Sequence, residues 1–427
     1  MAYHGIPQEQ WDQLVQQNRP LPHTVNLCIH TEIERQARIH PSKVAFTSSE
    51  EEITYDALRR LSDLVAYDLV DRGIEEEDIV PLCFDKSPLM IIFMLAVMKA
   101  GAAFLALDPG QPLSHTEAML HEMKVKMIVT SETFRYSFPS VYPVLVPPSL
   151  PLLVGQLGLA SDWVAPRVSP KNAAYCSFTR ASTGQPTGVI IEHRSFISGL
   201  FWNASAQMLN EHSRVLQFAE YWHDTCITEI LTTLCVGGTI CSPNEDELQE
   251  YLVESMKVMK VNWAALTSSF ISSVQPTDVP TLKTLVLVGE PVSKQSIEAW
   301  SPHVVLLRTY TVSECSGPTS VGRVVESDSG TLNIGRGAGA ALWIVNSNNV
   351  HVLMPRGEQG EILIEGPTVG RGYINNLETT NTAFVEAPVW LRPNLWSSQK
   401  RKRLFRSGDL GRLNPDGTFE LMLRPEP

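Results

Sequence analysis

The segment that decides the fold is Phe178-Thr179-Arg180-Ala181-Ser182-Thr183-Gly184-Gln185-Pro186-Thr187-Gly188. A strand pattern at residues 173–178 precedes it, and the strand-like run Val189-Ile190-Ile191 follows it. Hydroxyl groups and backbone N–H groups in a turn that contains glycine form a concave surface that suits polyphosphate. The spacing differs from that of a Walker A loop, G-x-x-x-x-G-K-S/T. On composition alone, an ordinary loop rich in serine, threonine and glycine is the alternative interpretation.

Strands and helices alternate on both sides of this segment. The strand patterns lie at residues 44–46, 53–55, 79–84, 103–107, 173–178, 215–218, 239–241, 263–266 and 285–288. The helical patterns lie at residues 58–69, 89–99, 225–234 and 246–259. Strands separated by helices imply right-handed crossovers and a mostly parallel sheet. Beyond about residue 330, apolar alternations at residues 342–345 and 361–364 occur without helices and indicate a small antiparallel unit.

These patterns predict an α/β protein of several units. The chain has 427 residues, which exceeds what one hydrophobic core usually supports. A stretch rich in proline, leucine and valine at residues 138–170 separates the two α/β regions. The predicted divisions are an incoming linker at 1–30 with one short helix around Trp11, a first α/β subdomain at 31–170, a second α/β subdomain with the phosphate loop and substrate pocket at 171–330, and a small β subdomain at 331–424.

Composition and charge exclude several classes of protein. The 34 basic and 46 acidic residues give a formal net charge of −12, which disfavours binding to nucleic acid. The longest apolar stretch, Pro88 to Met98, is too short to span a membrane, and no signal-peptide pattern opens the sequence. Seven cysteines without a CxxC pair indicate buried thiols in a reducing compartment. We therefore expect a soluble cytoplasmic protein with no nucleic-acid and no membrane partner.

The segment at residues 178–188 resembles the phosphate loop of adenylate-forming enzymes. It is most similar to that of amino-acid adenylation domains in nonribosomal peptide synthetases, whose consensus is roughly TSGSTGxPKG. Further segments resemble motifs of the same family, in family order from residue 30 to the end of the chain: Ile53-Thr54-Tyr55, residues 99–109, residues 360–364 with 370–373, and residues 405–410. The resemblance implies two doubly wound sheet subdomains with flanking helices plus a small distorted β-barrel, the N-terminal domain of adenylate-forming enzymes.

The resemblance also implies how ATP is held. The phosphates would lie on Thr179, Ser182, Thr183 and Gly184. Glu314 would ligate Mg²⁺, a cation that prefers oxygen, and Thr183 and Glu314 are the implied catalytic residues. The further nucleotide contacts that the resemblance implies are Gly289 beside the adenine, Tyr310 stacked on it, Ser313 at the α-phosphate, Asp409 at the ribose hydroxyls and Arg424 just before the family hinge.

Asp224 matches the aspartate that amino-acid-activating members place against the substrate α-ammonium. The alternative is that Asp224 is the N-cap of a helix beginning at Thr225. The family pattern implies a side-chain pocket lined by Thr225, Thr228, Ser269, Val286, Val288, Thr309, Gly317 and Pro318. Because no aromatic residue occurs among them, we expect a roomy, mildly polar pocket for a larger or modified amino acid.

The implied function is ATP-dependent activation of an amino acid as aminoacyl-AMP, with release of pyrophosphate, in nonribosomal peptide synthesis. The aminoacyl group would then be loaded onto the phosphopantetheine of a carrier protein. The implied cofactors are ATP, Mg²⁺ and that phosphopantetheine. The implied partners are the amino-acid substrate and the neighbouring condensation and carrier domains of a multidomain synthetase.

Two departures from the family consensus keep alternatives open. Arg180-Ala181 replaces a Ser-Gly pair and Thr187 replaces a lysine, so a degenerate, non-catalytic scaffold domain is one alternative. An acyl-CoA ligase of the same superfamily is another, and Asp224 argues against it. We also expect residues 425–427 to begin the hinge, so that the small C-terminal domain is absent and the chain is a weak ligase.

Overall fold

The computed structural model describes residues 2–3, 6–157, 166–179, 187–328, 330–391 and 403–422. Its α-helices are α1 (Gln8–Gln17), α2 (Ile29–Ile39), α3 (Tyr55–Asp71), α4 (Pro88–Lys99), α5 (Leu113–Glu122), α6 (Leu150–Gly155), α7 (His193–Ala206), α8 (Asp224–Ile227), α9 (Thr233–Cys235), α10 (Glu245–Glu250), α11 (Leu252–Val258), α12 (Ser268–Ser272), α13 (Lys294–Trp300) and α14 (Leu377–Ala383). A π-helical turn, Thr228–Thr232, joins α8 to α9.

Most strands up to residue 310 are separated by helices, whereas beyond it α14 is the α-helix among the strands of the described residues. They are β1 (Ala2–Tyr3), β2 (Ile6–Pro7), β3 (Val44–Thr47), β4 (Glu52–Thr54), β5 (Ile79–Cys83), β6 (Ala103–Ala106), β7 (Ile128–Thr130), β8 (Val144–Leu145), β9 (Ala173–Thr179), β10 (Thr187–Glu192), β11 (Arg214–Leu216), β12 (Thr239–Cys241), β13 (Trp263–Thr267), β14 (Thr284–Val288), β15 (Val305–Tyr310), β16 (Ser320–Arg323), β17 (Asn333–Gly337), β18 (Ala341–Asn346), β19 (Asn349–Leu353), β20 (Gln359–Glu365), β21 (Gly372–Tyr373), β22 (Phe384–Glu386), β23 (Arg403–Leu413) and β24 (Phe419–Leu421). The α/β class predicted from the sequence is confirmed.

The first sheet has the strand order β21-β10-β9-β6-β5-β7-β8 among the described residues. Strands β5 to β9 run parallel, and β10 and β21 are antiparallel additions at one edge. Helix α4 is apolar on nearly all sides, and it packs between α3 and strands β5 and β6. The buried helix predicted at residues 89–99 is therefore confirmed.

The second sheet begins with the order β4-β3-β12-β11-β13-β14-β15. Strands β3 and β11 to β15 are parallel, as expected for strands connected through helices. Val286 of β14 lies opposite Leu307 of β15 in this register. Strand β15 then pairs with the antiparallel strand β16, where the parallel part of the sheet ends.

The β region at the C-terminal side continues this second sheet through the pairing of β16 with β17. Its strand order is β17-β24-β23-β20-β18-β19, with β22 also paired to β23. A closed barrel requires the first and last strands to pair. The pairings of the described residues do not connect β19 to β17, so the small distorted barrel that we expected is not closed here.

Three helical segments differ in detail from the sequence patterns. Helix α14 lies inside the β region where no helix was predicted, because its sequence Leu-Glu-Thr-Thr-Asn-Thr-Ala has no apolar periodicity. Asn376 caps it by accepting a hydrogen bond from the Thr379 N–H at 3.0 Å. The predicted helix 225–234 contains the π-helical turn, and the predicted helix 246–259 is interrupted at Tyr251, whose φ of −127° ends α10.

The two sheets exchange strands across the boundary predicted at residue 170. Strand β3 pairs with β12 of the second sheet, with Ile240 opposite Phe46. Strand β9 pairs with β6 of the first sheet, with Phe104 opposite Tyr175. Local sequence patterns identify strands but not their partners, so the predicted ranges 31–170 and 171–330 do not separate the sheets.

The N-terminal segment that we predicted as a linker packs onto the β region. Trp11 of α1 is buried and stacks on Trp343, with ring centroids 5.9 Å apart, and it meets Trp390 edge to face at 6.1 Å. The side-chain amide of Asn18 donates a hydrogen bond to the carbonyl of Leu342 at 2.9 Å. The helix predicted around Trp11 is confirmed, and its tryptophan contributes to the core of the β region.

All seven cysteines are buried free thiols. None of the helices in the described part of the chain has the length and apolar character needed to cross a membrane.

Candidate active site

The candidate site lies at the carboxyl end of β15, where the second sheet changes from parallel to antiparallel strands. Ligands of α/β sheets usually bind outside the carboxyl ends of the strands. Tyr310 is the last residue of β15, and Ser313 and Glu314 follow in the loop. Gly317 has a φ of +73°, which only glycine adopts without strain, and the chain turns back there toward β16.

A cavity of about 970 Å³ opens at this strand end. Its lining includes the carboxylates Asp224, Glu314 and Asp409, and also Ser313 and Thr187. Ligand-binding cavities in proteins typically measure about 300–1,000 Å³, so this volume accommodates a nucleotide-sized molecule. The three predicted carboxylates thus come together from the start of α8, the loop after β15, and β23.

Tyr310 positions Asp409 at the wall of the cavity. The Tyr310 hydroxyl donates a hydrogen bond to Asp409 Oδ2 at 2.7 Å, and the Asp409 N–H donates one to Ser407 Oγ at 3.1 Å. Burial and the neighbouring Asp409 carboxylate raise the pKa of Tyr310 well above its ordinary value, so the hydroxyl remains a donor. The Tyr310 ring packs in the apolar core of the β region. Its stacking on adenine stays a prediction.

Glu314 is buried and is held by Tyr373, which lies on the antiparallel edge strand β21. The Tyr373 hydroxyl donates to Glu314 Oε1 at 2.7 Å, and the Gly370 N–H donates to the Glu314 carbonyl at 2.8 Å. Burial raises the pKa of Glu314, and the negative charges of Asp224 and Asp409 contribute in the same direction. A cation beside Glu314 would stabilise the ionised carboxylate and offset the free-energy cost of burying its charge.

Asp224 is the first residue of α8 and accepts a hydrogen bond from a serine in the loop after β15. The Ser313 hydroxyl donates to Asp224 Oδ2 at 2.5 Å. Burial raises the pKa of Asp224 above its ordinary value. The N-cap residue of α8 is His223, and no side-chain capping hydrogen bond is present there. The alternative role of Asp224 as the N-cap is therefore not what the structure contains.

The residues at this site fit a bound Mg²⁺ in one specific way. The described residues hold no cluster of three or more histidine, cysteine, aspartate or glutamate side chains able to bind a metal alone. Mg²⁺ is typically held by one or two carboxylates, with waters and substrate phosphates as the other ligands. Glu314 lines the cavity and has one carboxylate oxygen fixed by Tyr373, which suits that mode of binding.

The structure does not bring the eight residues predicted for the side-chain pocket to this cavity. Val286 belongs to an apolar cluster with Trp263, and Val288 packs against the same cluster. Thr228 is buried in the π-helical turn, whereas Ser269 is exposed and donates a hydrogen bond to Glu290. Thr225, Thr309, Gly317 and Pro318 complete the predicted set. Among the described residues, none of these eight lines the 970 Å³ cavity, whereas Asp224, the residue predicted for the α-ammonium group, does line it.

Several predicted nucleotide contacts lie outside the described residues. These are Ser182, Thr183 and Gly184 of the phosphate loop and Arg424. The altered loop residues Arg180 and Ala181 and the predicted start of the hinge at 425–427 also lie outside the description. Thr179 ends β9, and its side chain is likewise outside the description. Gly289 follows β14 with a φ of +79°, which agrees with a turn at the strand end.

Sequence reasoning missed a buried, hydrogen-bonded glutamate in the π-helical turn. Glu229, in the π-helical turn, accepts hydrogen bonds from the N–H groups of Phe218 and Ala219 and from the Gln217 amide, at 3.0–3.2 Å. Lys86 donates to Gln217 Oε1 at 2.9 Å and to the carbonyls of the same segment. Burial raises the pKa of Glu229 to about 8. An isolated glutamate in an apolar helix was the available signal for this group.

Comparison with known proteins shows the family to which the chain belongs. The family model described as AMP-binding enzyme matches residues 33–374, and the chain belongs to that family. Relatives include the NRPS-like oxidoreductase fscA of Fusarium equiseti, which is 46% identical over 99% of this chain and 41% of its own length. N-benzoylphenylalaninol synthetase apmA of Penicillium brevicompactum is 38% identical over 97% of this chain and 17% of its own length. The chain thus corresponds to an adenylate-forming adenylation domain and spans less than half of these relatives.

Solved structures support the same fold. The N-terminal subdomain of NpsA from Klebsiella oxytoca, in complex with 3-hydroxybenzoyl-AMSN, matches with a TM-score of 0.79 and 21% identity over 93% of this chain and 100% of that one. The AMPPNP-bound form of the nonribosomal peptide synthetase FmoA3 (S1046A) matches with a TM-score of 0.84 and 19% identity over 98% of this chain and 45% of that one. The predicted fold class is confirmed apart from the closed barrel.

Proposed function

We propose that this domain activates an amino acid as its aminoacyl-adenylate for nonribosomal peptide synthesis. The observation that carries the proposal is the meeting of Asp224, Ser313, Glu314 and Asp409 at one cavity. Asp224 supplies a negative charge for an α-ammonium group, and the other three supply contacts for a magnesium nucleotide. An amino acid and ATP would therefore meet at the loop after β15.

The proposed reaction joins the substrate carboxylate to the α-phosphorus of ATP. A carboxylate oxygen forms the new bond to phosphorus while the bond to the bridging oxygen breaks and pyrophosphate leaves. Asp224 orients the amino acid, Ser313 donates a hydrogen bond to the α-phosphate, and Asp409 accepts hydrogen bonds from the ribose hydroxyls. Glu314 would hold Mg²⁺, and the bound ion would supply positive charge to the phosphate oxygens. Catalysis in this scheme is positioning and charge stabilisation.

The other parts of the proposal rest on the relatives. Multidomain synthetases share this domain, and an artificial fusion of NpsA with a carrier protein has been solved. We therefore propose transfer of the aminoacyl group to a carrier-domain phosphopantetheine, with condensation and carrier domains as neighbours. A cytoplasmic location is proposed because all seven cysteines are free thiols, as is usual in reducing compartments.

The test is ATP–pyrophosphate exchange by the purified chain across a panel of amino acids and aryl acids. We expect exchange with at least one α-amino acid, favouring larger side chains, and less with the matched acid that lacks the α-amino group. Exchange with aryl acids alone would favour a different acid-activating ligase. Nucleotide binding with no exchange, also in a version extended through the hinge and the small C-terminal domain, would favour the scaffold alternative raised by Arg180, Ala181 and Thr187.

A further inference from the structure

Ser313 connects two parts of the cavity that the proposed function assigns to different substrates. Its hydroxyl donates to Asp224 Oδ2 at 2.5 Å, and Asp224 is the proposed anchor of the amino acid. The same hydroxyl is the proposed donor to the α-phosphate of ATP. Both side chains line the cavity, so each can be reached by a bound substrate.

A serine hydroxyl has one proton to donate. While that proton is donated to Asp224, it is not available to a phosphate oxygen. The acceptor is a half-buried carboxylate, and a hydrogen bond to an ionised acceptor is roughly twice as strong as one between neutral groups. In this arrangement the hydrogen bond to Asp224 therefore prevents the Ser313 hydroxyl from donating to the α-phosphate of the nucleotide.

We propose that the Ser313–Asp224 hydrogen bond couples occupation of the amino-acid site to nucleotide binding. This inference rests on the proposed function of the two residues. A substrate ammonium bound to Asp224 shares the carboxylate charge and weakens its hold on the Ser313 proton. Ser313 then turns its donor to the α-phosphate, so that the nucleotide is gripped fully after the amino acid has bound. The serine acts as a coupling residue between the two subsites.

The coupling predicts a result that needs no knowledge of the amino acid. Replacing Asp224 with alanine releases the Ser313 proton and makes it available to a nucleotide. Nucleotide affinity should therefore rise in Asp224→Ala, although this variant loses its amino-acid anchor. Loss of a nearby negative charge also favours a polyphosphate, and this general effect must be separated from the specific one.

A double-mutant cycle separates the two effects. The probe is α,β-methylene ATP with Mg²⁺, in which the bond that breaks during adenylation is blocked, and binding is measured by calorimetric titration. The four proteins are wild type, Asp224→Ala, Ser313→Ala and the double variant. We expect Asp224→Ala to tighten binding about fivefold to tenfold in the presence of Ser313, roughly the effect of one recovered hydrogen bond. In the Ser313→Ala background the same change should alter binding by less than about twofold.

Two further variants protect the experiment. Asp224→Asn keeps the shape of the side chain and an acceptor oxygen, so it should tighten binding by an intermediate amount even if the alanine variant folds poorly. Ser273→Ala is the matched control: it removes the hydroxyl of an exposed serine that donates to the Phe270 carbonyl away from the cavity, and it should leave affinity within about twofold of wild type.

The outcomes distinguish this inference from the proposed function. Equal tightening by Asp224→Ala in both backgrounds would identify a general charge effect and overturn the coupling, while nucleotide binding itself would still stand. Unchanged or weaker binding in Asp224→Ala and Asp224→Asn would also overturn it. Absence of binding to the wild-type protein would instead remove the nucleotide site, and the proposed function would fail together with the coupling.

Discussion

The nucleotide side of the site and the proposed side-chain pocket are built by different forces. Asp409 and Glu314 are each fixed by a tyrosine hydroxyl, from Tyr310 and Tyr373, at 2.7 Å. In the proposed pocket, Val286 and Val288 are held by apolar packing on a cluster that includes Trp263. Hydrogen bonds impose a direction on a group, whereas apolar packing mainly imposes a volume. The first region is therefore suited to chemistry common to all substrates, and the second to a change of substrate.

The largest expected effect is a loss of nucleotide affinity when Asp409, on the hydrogen-bonded nucleotide side of the site, is replaced. Asp409→Ala removes the proposed ribose acceptor and the acceptor of the Tyr310 hydroxyl. We expect the affinity for α,β-methylene ATP to fall at least about thirtyfold, because each hydrogen bond to a charged group contributes about 1.5–3 kcal/mol. Titration calorimetry measures the change. Asp416→Ala, an exposed turn aspartate of the same β region, is the control, and equal affinities of the two variants would contradict the comparison.

A smaller loss of activity is expected when Glu314 keeps its charge but loses the hydrogen bond from the Tyr373 hydroxyl. Tyr373→Phe removes the hydroxyl that holds Glu314 Oε1, while the ring can still pack edge to face on Phe384. We expect pyrophosphate exchange to fall about tenfold at low Mg²⁺ and to recover partly at high Mg²⁺, as for other residues that orient a metal ligand.

The Mg²⁺ dependence of exchange is the deciding readout for Tyr373. Tyr251→Phe, on an exposed tyrosine, is the matched control. An unchanged Mg²⁺ dependence in Tyr373→Phe would mean that the tyrosine only contributes packing.

The smallest effect on nucleotide affinity is expected from a substitution in the proposed side-chain pocket. Val288→Ala enlarges the proposed pocket at the end of β14 without removing a polar group. We expect the preference between large and small amino acids to shift by about tenfold, since one or two methyl groups in an apolar pocket give about 1–3 kcal/mol of discrimination. Affinity for the ATP analogue should stay within about twofold. A large loss of nucleotide affinity with unchanged preference would place Val288 outside the pocket.

The sequence predicted the elements of the fold better than their arrangement. The buried helix at residues 89–99 and the strands from 79 to 107 follow from local patterns, because burial and periodicity are local properties. The exchange of β3 and β9 between the sheets depends on pairings between positions 194 and 71 residues apart, Phe46 with Ile240 and Phe104 with Tyr175, which periodicity does not encode. The packing of Trp11 on Trp343 is of the same kind.

The site was predicted as a set of residues, but its internal contacts were not. Asp224, Ser313, Glu314 and Asp409 were all named from motif resemblance, and they line one cavity. The support of Glu314 by Tyr373 joins positions 59 residues apart, and the bond from Ser313 to Asp224 joins positions 89 apart. Neither contact has a local signal. The first joins the loop after β15 to β21 of the other sheet, and the second joins the same loop to the helix that follows β11 in the same sheet.

The most direct test of the account is the effect of Asp224→Ala on amino-acid-dependent ATP–pyrophosphate exchange, with the best substrate of the panel. Asp68→Ala, a partly exposed aspartate paired with Arg72 on α3, is the matched control. Removing one partner of a partly buried charge pair costs about 2–5 kcal/mol. We therefore predict at least about a thirtyfold loss of exchange in Asp224→Ala, with nucleotide binding retained and no loss in Asp68→Ala. Equal exchange by wild type and Asp224→Ala would contradict the central claim that Asp224 anchors the amino acid.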